Sequence, residues 1–257
     1  ADNDGVLNFA ASRQDLLVIS TGNSQILRFD AATGRSRGVE VHAWDSLLTF
    51  QSSMVYRRVD QTLVYTGNSG LRRVDLRNRG ALGEWVAPFG DSFATPSLAS
   101  GFPVSIAALN EGERLLVAAL RDPVLRGFRG RELALIDSSN GWQLDASDTP
   151  GDATASGNVA FVLGTGLNAI YRLSDQGSGF LAGPGLGWLG TPRRIISSGD
   201  GRLLISDRSR NAVVAVDQDS GRLINVLAEL DTSGHSRPEG LAVTSQGELL
   251  VAAAAQE

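Results

Sequence analysis

Cysteine and lysine are both missing from this chain of 257 residues. Without cysteine there can be no disulfide, no thiolate nucleophile and no sulfur-ligated zinc or iron–sulfur centre. Without lysine there is no Schiff-base chemistry and no lysine catalyst; all 23 basic side chains are arginine. Histidine is scarce too. His42 and His235 stand far apart, whereas zinc hydrolase sites want two or three histidines or carboxylates in register. No apolar run approaches the ~18 residues of a membrane helix, so no membrane span is expected. A Gly-x-Ser-x-Gly elbow, a phosphate loop and a dinucleotide fingerprint are all absent, which argues against hydrolase chemistry of the α/β type and against nucleotides. The net charge of −5 disfavours nucleic acid as a partner. The chain opens Ala1-Asp2-Asn3 without Met, as a processed protein does, so a periplasmic or secreted, extracytoplasmic location is expected.

What the chain has in quantity is glycine, 30 residues of it against 6% aromatics: many tight turns between modest side chains. Those turns recur with a period. Asp15-Leu-Leu-Val-Ile-Ser20, a Thr21-Gly-Asn-Ser24 turn and Gln25-Ile-Leu-Arg-Phe-Asp30 are followed by Gly34. The same order returns as Gln61-Thr-Leu-Val-Tyr65, Thr66-Gly-Asn-Ser69 and Gly70-Leu-Arg-Arg-Val-Asp75. Later copies hold Arg114-Leu-Leu-Val-Ala118, Asn158-Val-Ala-Phe-Val-Leu163, Arg202-Leu-Leu-Ile-Ser-Asp207 and Glu248-Leu-Leu-Val-Ala252. The markers Leu16, Leu63, Leu115, Val159, Leu203 and Leu249 lie 47, 52, 44, 44 and 46 residues apart. That is the period of a four-stranded propeller blade. A parallel β-helix repeats at ~20 residues per coil, and a sandwich has no reason to repeat at all. The expected fold is therefore all-β: residues 1–257 as one β-propeller of about six blades of four antiparallel strands, starting near residues 5, 50, 102, 150, 192 and 237. The sixth copy contains only Gly240-Leu-Ala-Val243 and Glu248-Leu-Leu-Val-Ala252, so the last blade is expected to be incomplete. Its open edge calls for strands from a longer protein or for a contact with another chain.

Residues 15–34, Val213-Val-Ala-Val-Asp-Gln-Asp-Ser-Gly221 and Arg237-Pro-Glu-Gly-Leu-Ala-Val-Thr-Ser-Gln-Gly-Glu-Leu-Leu-Val-Ala252 resemble the β-propeller repeats of YVTN, NHL and quinoprotein-like proteins. The resemblance spans essentially the whole chain and implies the fold; such propellers serve as binding modules, scaffolds, lactonases and oxidoreductases alike. Trp85 and Trp142 sit near the place of the docking tryptophan of quinoprotein repeats, but copies one and five have Glu40 and Asn225 there instead, which is too irregular for a quinone cofactor. WD-type repeats fit poorly, since Trp44-Asp45 is the only Trp-Asp pair.

In a meander blade the loop from one blade to the next and the loop between the two middle strands share a face. That face collects Asn23, Asn68, Asn168, Asp207 and Asn211, and also Arg193, Arg194 and Glu239, which lead into inner strands; these are the candidate binding residues. Propeller lactonases hold a divalent cation at the channel mouth, and Glu239, Asn23, Asn68, Asn168 and Asp207 would offer oxygens suited to calcium. Asn and Asp are equally at home in turns, so no cofactor, metal ligand or catalytic residue is assigned. Asp217-Gln-Asp-Ser-Gly221 reads as a turn with glycine in the left-handed conformation rather than a calcium loop. Arg57, Arg58, Arg72, Arg73, Arg77 and Arg79 read as a solvated outer face, and Arg121–Gly130 as an inserted loop exposing Val124, Leu125 and Phe128. The expected function is a non-catalytic binding or scaffold propeller engaging a protein or a carbohydrate through the loop face. The alternatives are a lactonase-like hydrolase with a metal at the channel mouth and a propeller domain of a larger exported redox protein.

Overall fold

The computed structural model describes residues 6–11, 15–20, 23–42, 53–57, 59–67, 70–76, 84–85, 103–119, 122–129, 134–136, 142–230, 236–244 and 247–255. Nearly all of them lie in strands and turns; the one helical element among them is a single 3-10 turn, Asn110–Gly112. Strands β1 (Val6–Ala11), β2 (Asp15–Ser20), β3 (Gln25–Asp30) and β4 (Ser36–His42) form the first sheet, and β5 (Met54–Arg57), β6 (Thr62–Gly67), β7 (Gly70–Asp75) and β8 (Glu84–Trp85) the second. The third holds β9 (Pro103–Leu109), β10 (Arg114–Ala119), β11 (Asp122–Arg129) and β12 (Ala134–Ile136). The fourth holds β13 (Pro150–Ser156), β14 (Val159–Gly164), β15 (Ala169–Ser174) and β16 (Gly177–Ala182), and the fifth β17 (Pro192–Ser197), β18 (Arg202–Asp207), β19 (Ala212–Asp217) and β20 (Leu223–Glu229). The sixth has two strands, β21 (Ser236–Val243) and β22 (Leu249–Ala255). Every sheet is an antiparallel meander in chain order. The inner strands β1, β5, β9, β13, β17 and β21 stand side by side in that sequence, and β21 lies against β1. This is a β-propeller.

The second strands of the sheets, and β19 among the third strands, are apolar on both faces because each is packed between two neighbouring sheets. Ala212-Val-Val-Ala-Val216 is buried at every position. Between the first and second sheets lie Leu17, Ile19, Ile26, Leu63 and Tyr65; between the third and fourth, Leu116, Trp142, Val162 and Tyr171. Between the fourth and fifth lie Phe161, Ile170, Ile195 and Ile205. Leu17, Ile19, Leu116, Phe161, Leu204 and Ile205, which the repeat alignment places between blades, are all at most 3% exposed.

The repeated Asp-x-x-x-Gly is a turn with a mechanism. The Asp30 carboxylate accepts the N–H groups of Ala32 and Thr33 and the Thr33 hydroxyl. Asp217 accepts those of Asp219 and Ser220 and the Ser220 hydroxyl. In both copies the glycine stands at φ +68° and returns its N–H to the Asp carbonyl at 2.9 Å. Only a residue without Cβ takes that conformation cheaply.

Two expectations are corrected. Asp122–Arg129 is not an inserted loop but the third strand of its sheet, paired with β10 on one side and β12 on the other. Leu125, expected on the surface, is fully buried. Pro123 and the two glycines made the segment look like a loop, yet proline is tolerated near a strand start. The arginines of the second copy are likewise not all outward: Arg57 and Arg72 are buried.

Candidate functional site

The two loop families do meet on one face, and buried carboxylates fasten them together. Asp148, in the loop entering β13, accepts the N–H groups of Thr149, Gly166 and Leu167 at 2.8–3.0 Å and the Tyr171 hydroxyl at 2.8 Å. Gly166 and Leu167 belong to the turn between β14 and β15, so one side chain ties both loops. The fifth sheet reverses the arrangement. Asp207, at the end of β18, accepts the N–H groups of Gly190 and Thr191 from the loop entering β17. It also accepts the N–H and hydroxyl of Ser209 and the N–H of Arg210 in its own turn.

Glu239, which is buried, sits where β21 begins and faces two guanidinium groups. Arg193 Nε donates to its Oε2 at 3.2 Å, and Arg208 Nε lies 2.5 Å from Oε1. Burial, helped by the neighbouring Arg194 charge, pulls the Arg193 pKa below its ordinary value. The second positive charge at Glu239 comes from Arg208, which the sequence reading did not single out. Pairing a buried carboxylate with two forked cations is the arrangement that lets charges survive out of water.

Inside this mouth runs a cavity of about 340 Å³ bordered by the inner strands β5, β9, β13, β17 and β21. Its walls carry an unlooked-for ladder of hydrogen bonds from sheet to sheet. Ser53 Oγ accepts the Ile106 N–H, and Ser105 Oγ accepts the Ala153 N–H. Asp152 Oδ2 accepts the Ile195 N–H, while its Oδ1 accepts from Ser105 Oγ and from Arg194. Each step joins the side chain of one inner strand to the backbone one residue past the matching position in the next. Small polar residues on an apolar inner strand were the available signal.

The remaining candidates separate. Asn168 and Asn211 adopt φ +52° and +49° at the middle-strand turns, as does Ser24 at +48°. These are left-handed turn positions, where Asn is among the residues tolerated. Asn23 is exposed beside Ser24; no described interaction joins it or Asn168 to the Glu239 cluster. Asn68 lies outside the described residues. Asp207 and Glu239, both carried as candidate calcium ligands, have their oxygens directed at N–H donors and guanidinium groups. Among the described residues no three of His, Asp and Glu gather as a metal site.

The fold finds its likeness among solved propellers. A chain of a nidogen/laminin complex superposes with a TM-score of 0.68 at 13% identity, over 86% of this chain and 79% of that one. A streptogramin B lyase superposes at 0.66 and 14% identity, over 99% and 84%. Selenomethionine-substituted virginiamycin B lyase from Staphylococcus aureus does so at 0.66 and 14%, over 97% and 78%. No protein-family model matches the sequence, and no curated protein does. Among the described residues no helix is long and apolar enough to cross a membrane.

Proposed function

We propose that the chain is a binding propeller that engages a protein partner through the loop face around the Glu239 cluster. The observation that supports this most is the fate of the carboxylates. Asp148, Asp152, Asp207 and Glu239 are buried, and all four spend their oxygens on backbone N–H groups, hydroxyls or guanidinium groups. A catalytic carboxylate must be open to substrate to move a proton. Here Asp148, Asp207 and Glu239 hold the loops and Asp152 ties neighbouring inner strands, which lowers the ordering cost of binding a large surface. The likeness to a propeller from a nidogen/laminin complex goes with a protein as partner, and Asn23, Thr165, Ser209 and Arg210 form the exposed fringe that would meet it.

The test is capture from the native source with the chain immobilised, in three forms. The wild type and a variant reversed on the opposite face, Asp200→Arg with Asp219→Arg, are expected to retain the same partner. Thr165→Glu with Arg210→Glu on the loop face is expected to lose it. Capture that ignores the loop-face change, or that yields to the opposite-face change, would overturn the reading.

A further inference from the structure

The inner strands run from the loop face towards the opposite face, and exposure rises along them. Ser53, Ile106, Asp152, Ile195 and Leu241 are each at most 4% exposed. Farther along the same five strands, Tyr56, Ala108, Ala155, Ser197 and Val243 are partly exposed. All ten line the cavity of about 340 Å³. The cavity is therefore a cup. Its buried floor is the hydrogen-bond ladder, and its open end faces away from the Glu239 cluster.

The wall of the cup favours one chemistry. Twelve of its seventeen described lining residues are aliphatic or methionine, five of them alanines that leave room. Asp152 is the one charged side chain among the seventeen, and its oxygens already accept from Ser105, Arg194 and the Ile195 N–H. A bound ion would lose its hydration there without gaining a counter-charge. Hydroxyl donors, by contrast, are at hand. Thr154 Oγ1 accepts the Ser197 N–H at 3.1 Å and Ser197 Oγ accepts the Gly199 N–H at 3.3 Å, so each hydroxyl keeps its hydrogen to donate. The Tyr56 hydroxyl makes no hydrogen bond among the described residues.

We propose that the cup is a binding site for a small uncharged molecule, with an apolar body of one or two rings and an acceptor oxygen held by the Tyr56 hydroxyl. Thr154 and Ser197, on β13 and β17, offer donors to a second acceptor. The volume lies at the lower end of the ~300–1,000 Å³ range of small-molecule pockets, which bury most of a ligand's surface. Water alone suits the space poorly, because each water wants about two to four polar partners and most of this wall offers none. The ligand enters from the face opposite the loops, so the site is independent of the partner surface proposed above.

Methyl spectra of the protein titrated with acetophenone, benzoate and benzylammonium test this, since the three probes share a ring and differ in charge. Acetophenone at millimolar concentration should saturably shift the methyl groups of Ile195, Ile196 and Val243. Either ion should bind roughly tenfold more weakly or worse. Ala108→Phe and Ala155→Phe, made separately on different strands, fill the cup and should abolish the shifts; methyl groups distant from it report that each variant is folded. Tyr56→Phe should weaken acetophenone roughly 2–10-fold, the worth of one hydrogen bond, and leave binding of oxygen-free toluene unchanged. Acetophenone that shifts no methyl group of the cup overturns the proposal and leaves a solvent channel. So do ions that bind as tightly as acetophenone, binding that survives in a folded Phe variant, or a Tyr56→Phe change without effect.

Discussion

Arg57 Nε donates to the carbonyl oxygen of Gly112 at 2.8 Å, joining the end of β5 to the tight turn between β9 and β10. The guanidinium is buried, which draws its pKa below the usual arginine range, while Asp60 at 3.0 Å acts in the opposite direction. Gly112 stands at φ +97°, and a Cβ there would come within 2.9 Å of the Arg57 backbone. Gly112→Ala should therefore destabilise the protein by about 2–4 kcal/mol, from strain and clash together. Denaturant unfolding measures it. A loss under about 0.5 kcal/mol, the scale of an ordinary surface change, would mean that the contact is not rigid.

The ladder lining the cavity gives a second expectation. Asp152 is met by Ser105 Oγ at 2.9 Å, the Ile195 N–H at 3.0 Å and Arg194 at 3.4 Å. Asp152→Ala deprives the buried Ile195 N–H of its acceptor and the buried Arg194 guanidinium of one charged partner, a loss of about 2–4 kcal/mol. Asp152→Asn keeps the shape and one acceptor oxygen, so it should cost clearly less in the same unfolding experiment. Equal losses would show that shape rather than hydrogen bonding holds the ladder.

The propeller was legible because its cause is local: a strand of β-branched and leucine residues, a polar turn and an Asp-to-Gly turn recur at a fixed interval. The third sheet was misread at Asp122–Arg129 because proline and glycine punctuate a sequence whether or not they end a strand. Arg57 and Arg72 were misread for a different reason. Alternation tells which residues share a face, but in a propeller both faces of a middle strand are covered, and burial of an arginine depends on an acceptor fifty residues away. The same holds at the candidate site. Glu239 stood out beside an apolar strand, but its partner Arg208 and the loop-anchoring role of Asp148 are contacts between elements, which no spacing records. Asn168 and Asn211, read as candidate binding residues, occupy left-handed turn positions, a backbone role that their residue type already suggested.

Acid should weaken the fold through its turns. The Asp30 pKa is lowered to about 2 by the Thr33 N–H, the Thr33 hydroxyl and Arg37. That of Asp200 is lowered to about 2 by Arg202 and Ser198. Asp217 is lowered as well, by the hydroxyl and then the N–H of Ser220. A depressed folded-state pKa gives stability that is present above the unfolded value, about 3.9 for Asp, and lost as pH falls through the folded one. Thermal midpoints should thus begin to fall near pH ~4 and continue down to pH ~2. The triple variant Asp30→Asn, Asp200→Asn, Asp217→Asn should start lower at neutral pH and fall less steeply in that window. An unchanged acid slope in the variant would assign acid sensitivity to other carboxylates.

Alkali tests the loop anchor from the opposite side. Tyr171 donates its hydroxyl to Asp148 Oδ2 at 2.8 Å. Burial first, then that hydrogen bond and the Asp148 charge, hold the phenol well above its ordinary pKa of 10. Because the folded state retains the proton longer, its stabilisation is complete below pH ~10 and is lost as pH rises beyond that. Of the three tyrosines, Tyr171 should show no phenolate absorbance until the protein unfolds. Tyr171→Phe should cost about 1–3 kcal/mol at neutral pH by removing a donor from a buried carboxylate, yet remove this contribution to the alkaline slope. The space around the pair is fully used: a Cβ on Gly164 would fall 1.8 Å from Asp148 Oδ2 and 2.7 Å from the Tyr171 ring. Gly164→Ala should therefore displace the anchor, lowering stability at neutral pH and reducing the same alkaline contribution that Tyr171→Phe removes. Full ionisation of all three tyrosines in the folded protein would show that Asp148 does not hold the Tyr171 hydroxyl, and with it the turn between β14 and β15.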